Sequence, residues 1–245
     1  KGPEKILWHG GVEPEEFKEQ GLLDKLTEFT NVDKTTGGIF APWAFYKKDF
    51  QEIGGHDPLY APQSKEDSDI FNRFQLNGIN FIQTWEGFVY HMTCRGSRRN
   101  TLDKAKNIYE DSPEWLAQNQ RSSRNFVRKW GHFVKHDPLL IPIIPPKYDI
   151  GFIVKNCNSQ LLELLEPWCS NILIDDEMQV LTSHYVDKEQ KNTLFKLDER
   201  IKSTPFESLN NEIIVTIDRN TFTQQDYQII QQLSEIIKDS GEIGE

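Results

Sequence analysis

Apolar and polar positions along the chain mark out a first half rich in aromatic residues and turns and a second half of alternating strands and helices. Between Glu13 and Phe29, apolar side chains at Phe17, Leu22, Leu23 and Leu26 follow early acids, with Gly21 interrupting, which predicts a short, broken helix. The aromatic run from Gly38 to Tyr46 follows a Gly-Gly turn signal and reads as a strand despite Pro42, with Lys47, Lys48 and Asp49 opening a polar turn. Residues Ile53 to Pro58 concentrate turn formers. Ser64 to Asp69 then offer N-cap candidates ahead of Ile70, Phe71, Phe74 and Leu76, and Gly78 stands where a left-handed C-cap belongs. The segments Ile79 to Thr84 and Gly87 to His91 read as short strands.

Ser112, Pro113 and Glu114 give a cap, a first-turn proline and an early acid. They predict a helix carrying Trp115, Leu116, Phe126, Val127 and Trp130 and closing at Gly131. Prolines recur from Pro138 to Pro146, where no helix can continue. A boundary there divides the chain into domains 1–140 and 141–245. In the second domain, a strand from Asp149 to Val154, a helix from Ser159 to Leu165 and a strand from Asn171 to Asp175 predict a parallel βαβ unit. A further strand, Glu212 to Asp218, precedes a helix from Thr223 to Lys238 with Tyr227, Ile230, Leu233 and Ile237 on one face. The expected fold class is α/β, the second domain being small and built on a parallel sheet.

Composition narrows the possible partners. A formal charge of −10 disfavours nucleic acid as the main partner, because phosphates would be repelled. No stretch reaches the roughly 20 apolar residues of a membrane span. The three cysteines, Cys94, Cys157 and Cys169, are odd in number and too widely spaced for a zinc pattern, which suggests reduced thiols and a cytoplasmic setting. A start at Lys1 and an end at Glu245 without a recognisable close to the fold suggest a fragment.

Candidate chemistry gathers between Gly37 and Arg99. Glu66 and Asp67 fall at a predicted helix N-terminus, where free N–H groups and the helix dipole favour an ionised carboxylate able to accept a proton from a hydroxyl. Ser64, Asp67 and Asp69 would equally serve as plain helix caps. His91 ends a predicted strand and is followed by Arg95, Arg98 and Arg99, a set suited to a diphosphate, or simply a solvated basic turn. A neutral imidazole there could also bind a divalent ion that neutralises a leaving diphosphate.

Four motifs carry a resemblance: Gly37-Gly38-Ile39-Phe40-Ala41-Pro42-Trp43, Ile53-Gly54-Gly55-His56-Asp57-Pro58, Lys65-Glu66-Asp67-Ser68-Asp69-Ile70-Phe71-Asn72-Arg73-Phe74 and Val89-Tyr90-His91. In order and spacing they resemble the second half of glycosyltransferase family 2, which has the GT-A fold. The resemblance covers about residues 1–135 and extends to Asn125 to Gly131, which is similar to the helix after the catalytic region. It implies an inverting transfer from a nucleotide-diphosphate sugar donor to a glycan or other hydroxyl acceptor, with Asp67 as general base and Glu66 beside it. It also implies His91 as a ligand of Mn or Mg in the intact enzyme, and Arg95, Arg98 and Arg99 facing the diphosphate. Trp43, Gly54, Gly55 and Asp69 would border the acceptor and donor-sugar pocket, with Trp85 as another flat face for a sugar ring.

The family's nucleotide-binding half, which ends in an Asp-x-Asp metal motif, does not precede Gly37. Asp67-Ser68-Asp69 has the letters but follows a polar stretch rather than a buried strand, and Asp175-Asp176-Glu177 lies after the base rather than before it. On this reading the chain alone would not catalyse transfer. Two other readings remain open: a non-catalytic carbohydrate- or protein-binding module, and a site in the second domain formed by Asp175, Asp176 and Asp218 at strand ends. No glycine-rich phosphate loop accompanies that second site.

Overall fold

A computed structural model of the protein describes residues 6–11, 13–39, 41–91, 111–176, 179–203 and 208–241. The chain is mixed α/β and divides into two compact units. Unit 1 comprises residues 1–56, 66–119 and 136–143, and unit 2 comprises 57–65, 120–135 and 144–245.

In unit 1, helix α1 (Glu19–Phe29) is amphipathic but buries no residue completely. Strand β1 (Thr35–Gly37) pairs antiparallel with β2 (Ile82–Thr84), setting Thr36 opposite Gln83. Between them lie α2 (Lys47–Glu52) and α3 (Glu66–Leu76). Three expectations change here. Among the described residues of the aromatic run 38–46 there is no strand: Pro42 offers no N–H to a ladder, and the rings of Trp43 and Phe45 pack onto Phe74 of α3 instead. The polar segment after it is the helix α2, whose partly buried Phe50 is followed three residues on by Ile53. Gly87 to His91 adds no strand either. It is held by Tyr90, whose hydroxyl donates to the Gly11 carbonyl at 2.6 Å and accepts from the Gly10 N–H at 3.1 Å.

Unit 2 is built on a four-stranded parallel sheet of β3 (Ile150–Lys155), β4 (Asn171–Ile174), β5 (Ile201–Ser203) and β6 (Ile213–Asp218), in spatial order β5-β4-β3-β6. The chain starts at the centre on β3 and steps outward through α5 (Ser159–Leu165) to β4. It continues through α6 (Val180–Glu189) and α7 (Leu197–Arg200) to β5, then returns to lay β6 on the other side of β3. Phe152 and Val154 of β3 and Ile172 and Ile174 of β4 are essentially sealed, as expected of central parallel strands covered on both faces. A side chain at Gly151 would bring its Cβ within 2.5 Å of Asn211 Oδ1, so anything larger than glycine would have to displace the Asn211 side chain. Helix α8 (Gln224–Ser240) starts with a capping box in which Thr223 and Asp226 bond reciprocally to each other's backbone.

Helix α4 (Pro113–Trp130) contributes its second half to unit 2, where it buries Phe126 and Val127 together with the charged Arg128. Arg128 donates to Glu166 at 2.6 Å and to Glu189 at 2.8 Å, and Arg200 reaches the same Glu166 at 2.9 Å. The Tyr185 hydroxyl donates to Glu166 at 3.0 Å, and Arg124 binds Glu189 at 3.0 Å. One sealed carboxylate thus ties α4, the turn after α5, α6 and α7 together. Among the described residues, no helix is long and apolar enough to cross a membrane.

Candidate functional site

Helix α3 opens with three acids in its first turn, Glu66, Asp67 and Asp69, and each meets a different environment. Asp69 is fully buried and receives Arg73 Nε at 2.9 Å, one helical turn later. Arg73 also donates to the carbonyl of Ile53 at 2.6 Å, so this pair braces α3 against the end of α2. Asp69 is thus enclosed within unit 1 and held by Arg73. Glu66 is half-buried, whereas the side chain of Asp67 reaches solvent.

The Asp67 carboxyl lies above the usual carboxylate range. Partial burial raises it, and the opposing positive charge of His56 only partly offsets this. From sequence, the helix N-terminus was expected to favour the ionised form. In the folded protein the shift runs the other way, toward the protonated form. His56 was not singled out by sequence. It follows Gly54 and Gly55, whose left-handed backbone (φ 84° and 72°) ends α2 with the Gly55 N–H donating to the Phe50 carbonyl at 2.9 Å. Residues Ser64 and Lys65, just ahead of α3, also take left-handed conformations (φ 79° and 71°), a costly choice for non-glycine residues.

Phe71 and Phe74 lie four and seven residues after Asp67, on the same face of α3. Trp43 packs edge-on against both, with centroids at 5.2 and 6.4 Å. Phe45 contacts Trp43 at 5.0 Å, Phe74 at 5.6 Å and Phe50 at 5.0 Å, and Phe50 in turn meets the ring of His56 at 5.3 Å. The helix face that starts with Asp67 therefore continues into an aromatic cluster whose far member is His56. Trp43 is partly exposed within it. Trp85 has one face taken by the Lys34 ammonium, 3.4 Å from its ring centre.

His91 is exposed and belongs to no helix or strand. Arg95, Arg98 and Arg99 lie outside the described residues, as does Cys94. Among the described residues, no three His, Cys, Asp or Glu side chains come together in a group able to hold a metal ion. His91 thus has no assembled companions within the described part of the chain.

In unit 2, the strand order reverses between β3 and β6, the crevice where open α/β sheets bind ligands. Its acids are occupied by local backbone and side-chain donors. Asp175 accepts the N–H groups of Asn156 and Cys157 at 2.6 and 3.0 Å, and Asp218 accepts from Asn156 Nδ2 at 3.0 Å. Asp176 accepts from the N–H groups of Val180 and Thr182 at the start of α6. These three acids fix turns and a helix end.

No protein-family model, curated protein or solved structure matches the chain.

Proposed function

We propose that the chain carries the acceptor-side, catalytic-base portion of an inverting glycosyltransferase of the GT-A type, in which Asp67 is the general base. The observation supporting this most directly is the Asp67 carboxylate: solvent-reaching, at the head of α3, and lifted above its ordinary range by its surroundings. A carboxylate shifted upward is a stronger base than an ordinary one, the direction that favours general-base catalysis.

In the proposed reaction, Asp67 takes the proton of an acceptor hydroxyl as that oxygen attacks the anomeric carbon of a nucleotide-diphosphate sugar. The bond to the diphosphate breaks with its electron pair, and the configuration inverts. Base catalysis of this kind contributes typically 10²–10⁴-fold. A divalent ion, Mn or Mg, is expected in the intact enzyme, where it would neutralise the leaving diphosphate. The described residues do not assemble its site, and the proton transfer to Asp67 does not pass through it. Arg95, Arg98, Arg99 and His91 are proposed on the diphosphate side by resemblance alone. A cytoplasmic setting is part of this proposal.

Replacement of Asp67 by Asn in the intact enzyme tests the reading. It should abolish transfer while donor binding persists, and turnover close to wild type would remove Asp67 from the chemistry. A non-catalytic carbohydrate-binding module is the alternative, favoured by the partly exposed aromatic cluster. It predicts sugar binding with no turnover, even in an intact protein that also binds the donor.

A further inference from the structure

We propose that His132 is an acid-operated latch in unit 2: as the neutral imidazole it fastens residues 131–135 at the end of α4, and as the imidazolium it releases them. Gly131 closes α4 in a left-handed conformation (φ 78°), its N–H donating to the Val127 carbonyl at 2.7 Å. The next side chain, His132, is only 2% exposed. Its Nδ1 lies 2.6 Å from the Phe133 carbonyl, a contact that needs the proton on Nδ1, and its ring meets the Phe126 ring edge-on at 5.9 Å. Nε2 is buried and has no hydrogen-bond partner among the described residues. The site thus suits one tautomer of the neutral ring and offers nothing to a second N–H. A bare lone pair is tolerable there, whereas a cationic N–H without an acceptor costs far more.

The surrounding charges do not supply the missing acceptor. Glu235 of α8 favours the imidazolium, but it is paired with Lys135, whose own charge opposes it. On the α4 side, Lys147 donates to the Arg128 and Lys129 carbonyls at 2.8 and 3.0 Å, and Lys129 is paired with Asp57 at 2.7 Å. Burial, the largest influence on the ring, lowers it from the ordinary histidine value. The released segment therefore takes up a proton near about 6.5, before the latched one does, so latching is complete above that pH and weakens as pH falls below it. Release would free Phe133, whose ring stands edge-on to Trp168 at 4.8 Å, and the Lys135–Glu235 pair.

Amide exchange of residues 131–135 on this chain, measured between pH 7.5 and 5 and corrected for the intrinsic rate, reads the latch, and NMR of the histidine ring nitrogens reads its proton. At pH 7.5 the His132 ring should show the Nδ1–H tautomer. The opening equilibrium should then rise by up to about tenfold for each pH unit below about 6.5, the response to a single proton. His132→Asn, which keeps a donor for the Phe133 carbonyl but cannot titrate, should flatten this profile, as should His132→Phe. His136→Asn, at the exposed histidine four residues on, should leave it unchanged. An opening equilibrium that does not move over this range, a His132 ring that takes up its proton with no change in exchange, or an acid response kept in His132→Asn would overturn the proposal. Should neither His132 variant fold, the ring and exchange profiles of the parent chain still decide.

Discussion

Replacing Glu166 by Gln removes the charge at the centre of the most heavily bridged buried cluster in unit 2. Burial alone would raise this carboxyl. The guanidiniums of Arg128, Arg200 and Arg124 overcome that and hold it at about 2, against an ordinary value of 4.5. A depressed carboxyl contributes stability that is fully present above its unfolded value and lost as pH falls through the folded one. The wild-type protein should therefore lose about 3 kcal/mol between about pH 4.5 and pH 2 from this group alone. An independent route gives a similar size: breaking a buried ion pair by removing one partner costs about 3–5 kcal/mol. In Glu166→Gln the sealed Arg128 guanidinium keeps Glu189 as its charged partner, at 2.8 Å. Urea denaturation at pH 7 should show a loss of about 3 kcal/mol, with amide exchange in β3 and β4 identifying unit 2 as the part destabilised. Repeated down to pH 2.5, the variant should show a shallower acid dependence than the parent. A loss under about 1 kcal/mol at pH 7, the size of an exposed pair, or an unchanged acid profile, would mean that Glu166 is not the centre of the network.

Thr223→Ala should remove one half of the capping box at the start of α8, in which Thr223 Oγ1 accepts from the Asp226 N–H at 3.3 Å, and lower stability by about 1 kcal/mol in the same assay. Cys157 and Cys169 should resist alkylation at pH 8 in the native protein. Desolvation pushes the Cys157 thiol up to about 12, and complete burial pushes Cys169 further in the same direction. Peptide mapping before and after denaturation reads this directly, and rapid native labelling at either position would contradict it.

The parallel sheet was legible because its strands are long apolar runs and its first helix carries a sequence-visible cap, Asn158, whose side chain accepts from the Leu161 N–H at 2.9 Å. Strand β5 was not: three residues, Ile201-Lys202-Ser203, give no period, and only pairing with β4 makes them a strand. Helix α6 was missed as well, since it buries only Tyr185 and Glu189 completely and so shows no apolar stripe. Aromatic composition misled at Gly38 to Tyr46, because rings that suit a strand pack here as a loop onto α3. At the candidate site, the acidic start of α3 and its left-handed close at Gly78 could be read from sequence. The electrostatic effect of His56 on Asp67 and the burial of Asp69 against Arg73 could not, since both depend on how α2 returns to α3. The charges around Glu166 likewise look like solvated surface until folding encloses them.

The proposed transfer turns on Asp67, and one variant examined two ways tests its role most directly. Because its folded carboxyl lies above the ordinary value, the folded state keeps its proton longer than the unfolded chain does. The group's contribution to stability therefore falls as pH rises past the ordinary value and stays lower above the folded one. Asp67→Asn should consequently melt no lower than the parent at pH 7, while transfer by the intact enzyme to its acceptor falls by at least about 10²-fold and donor affinity is kept. A variant that melts lower and transfers normally would show Asp67 to be a helix cap, and the assignment of a catalytic base to this chain would be lost.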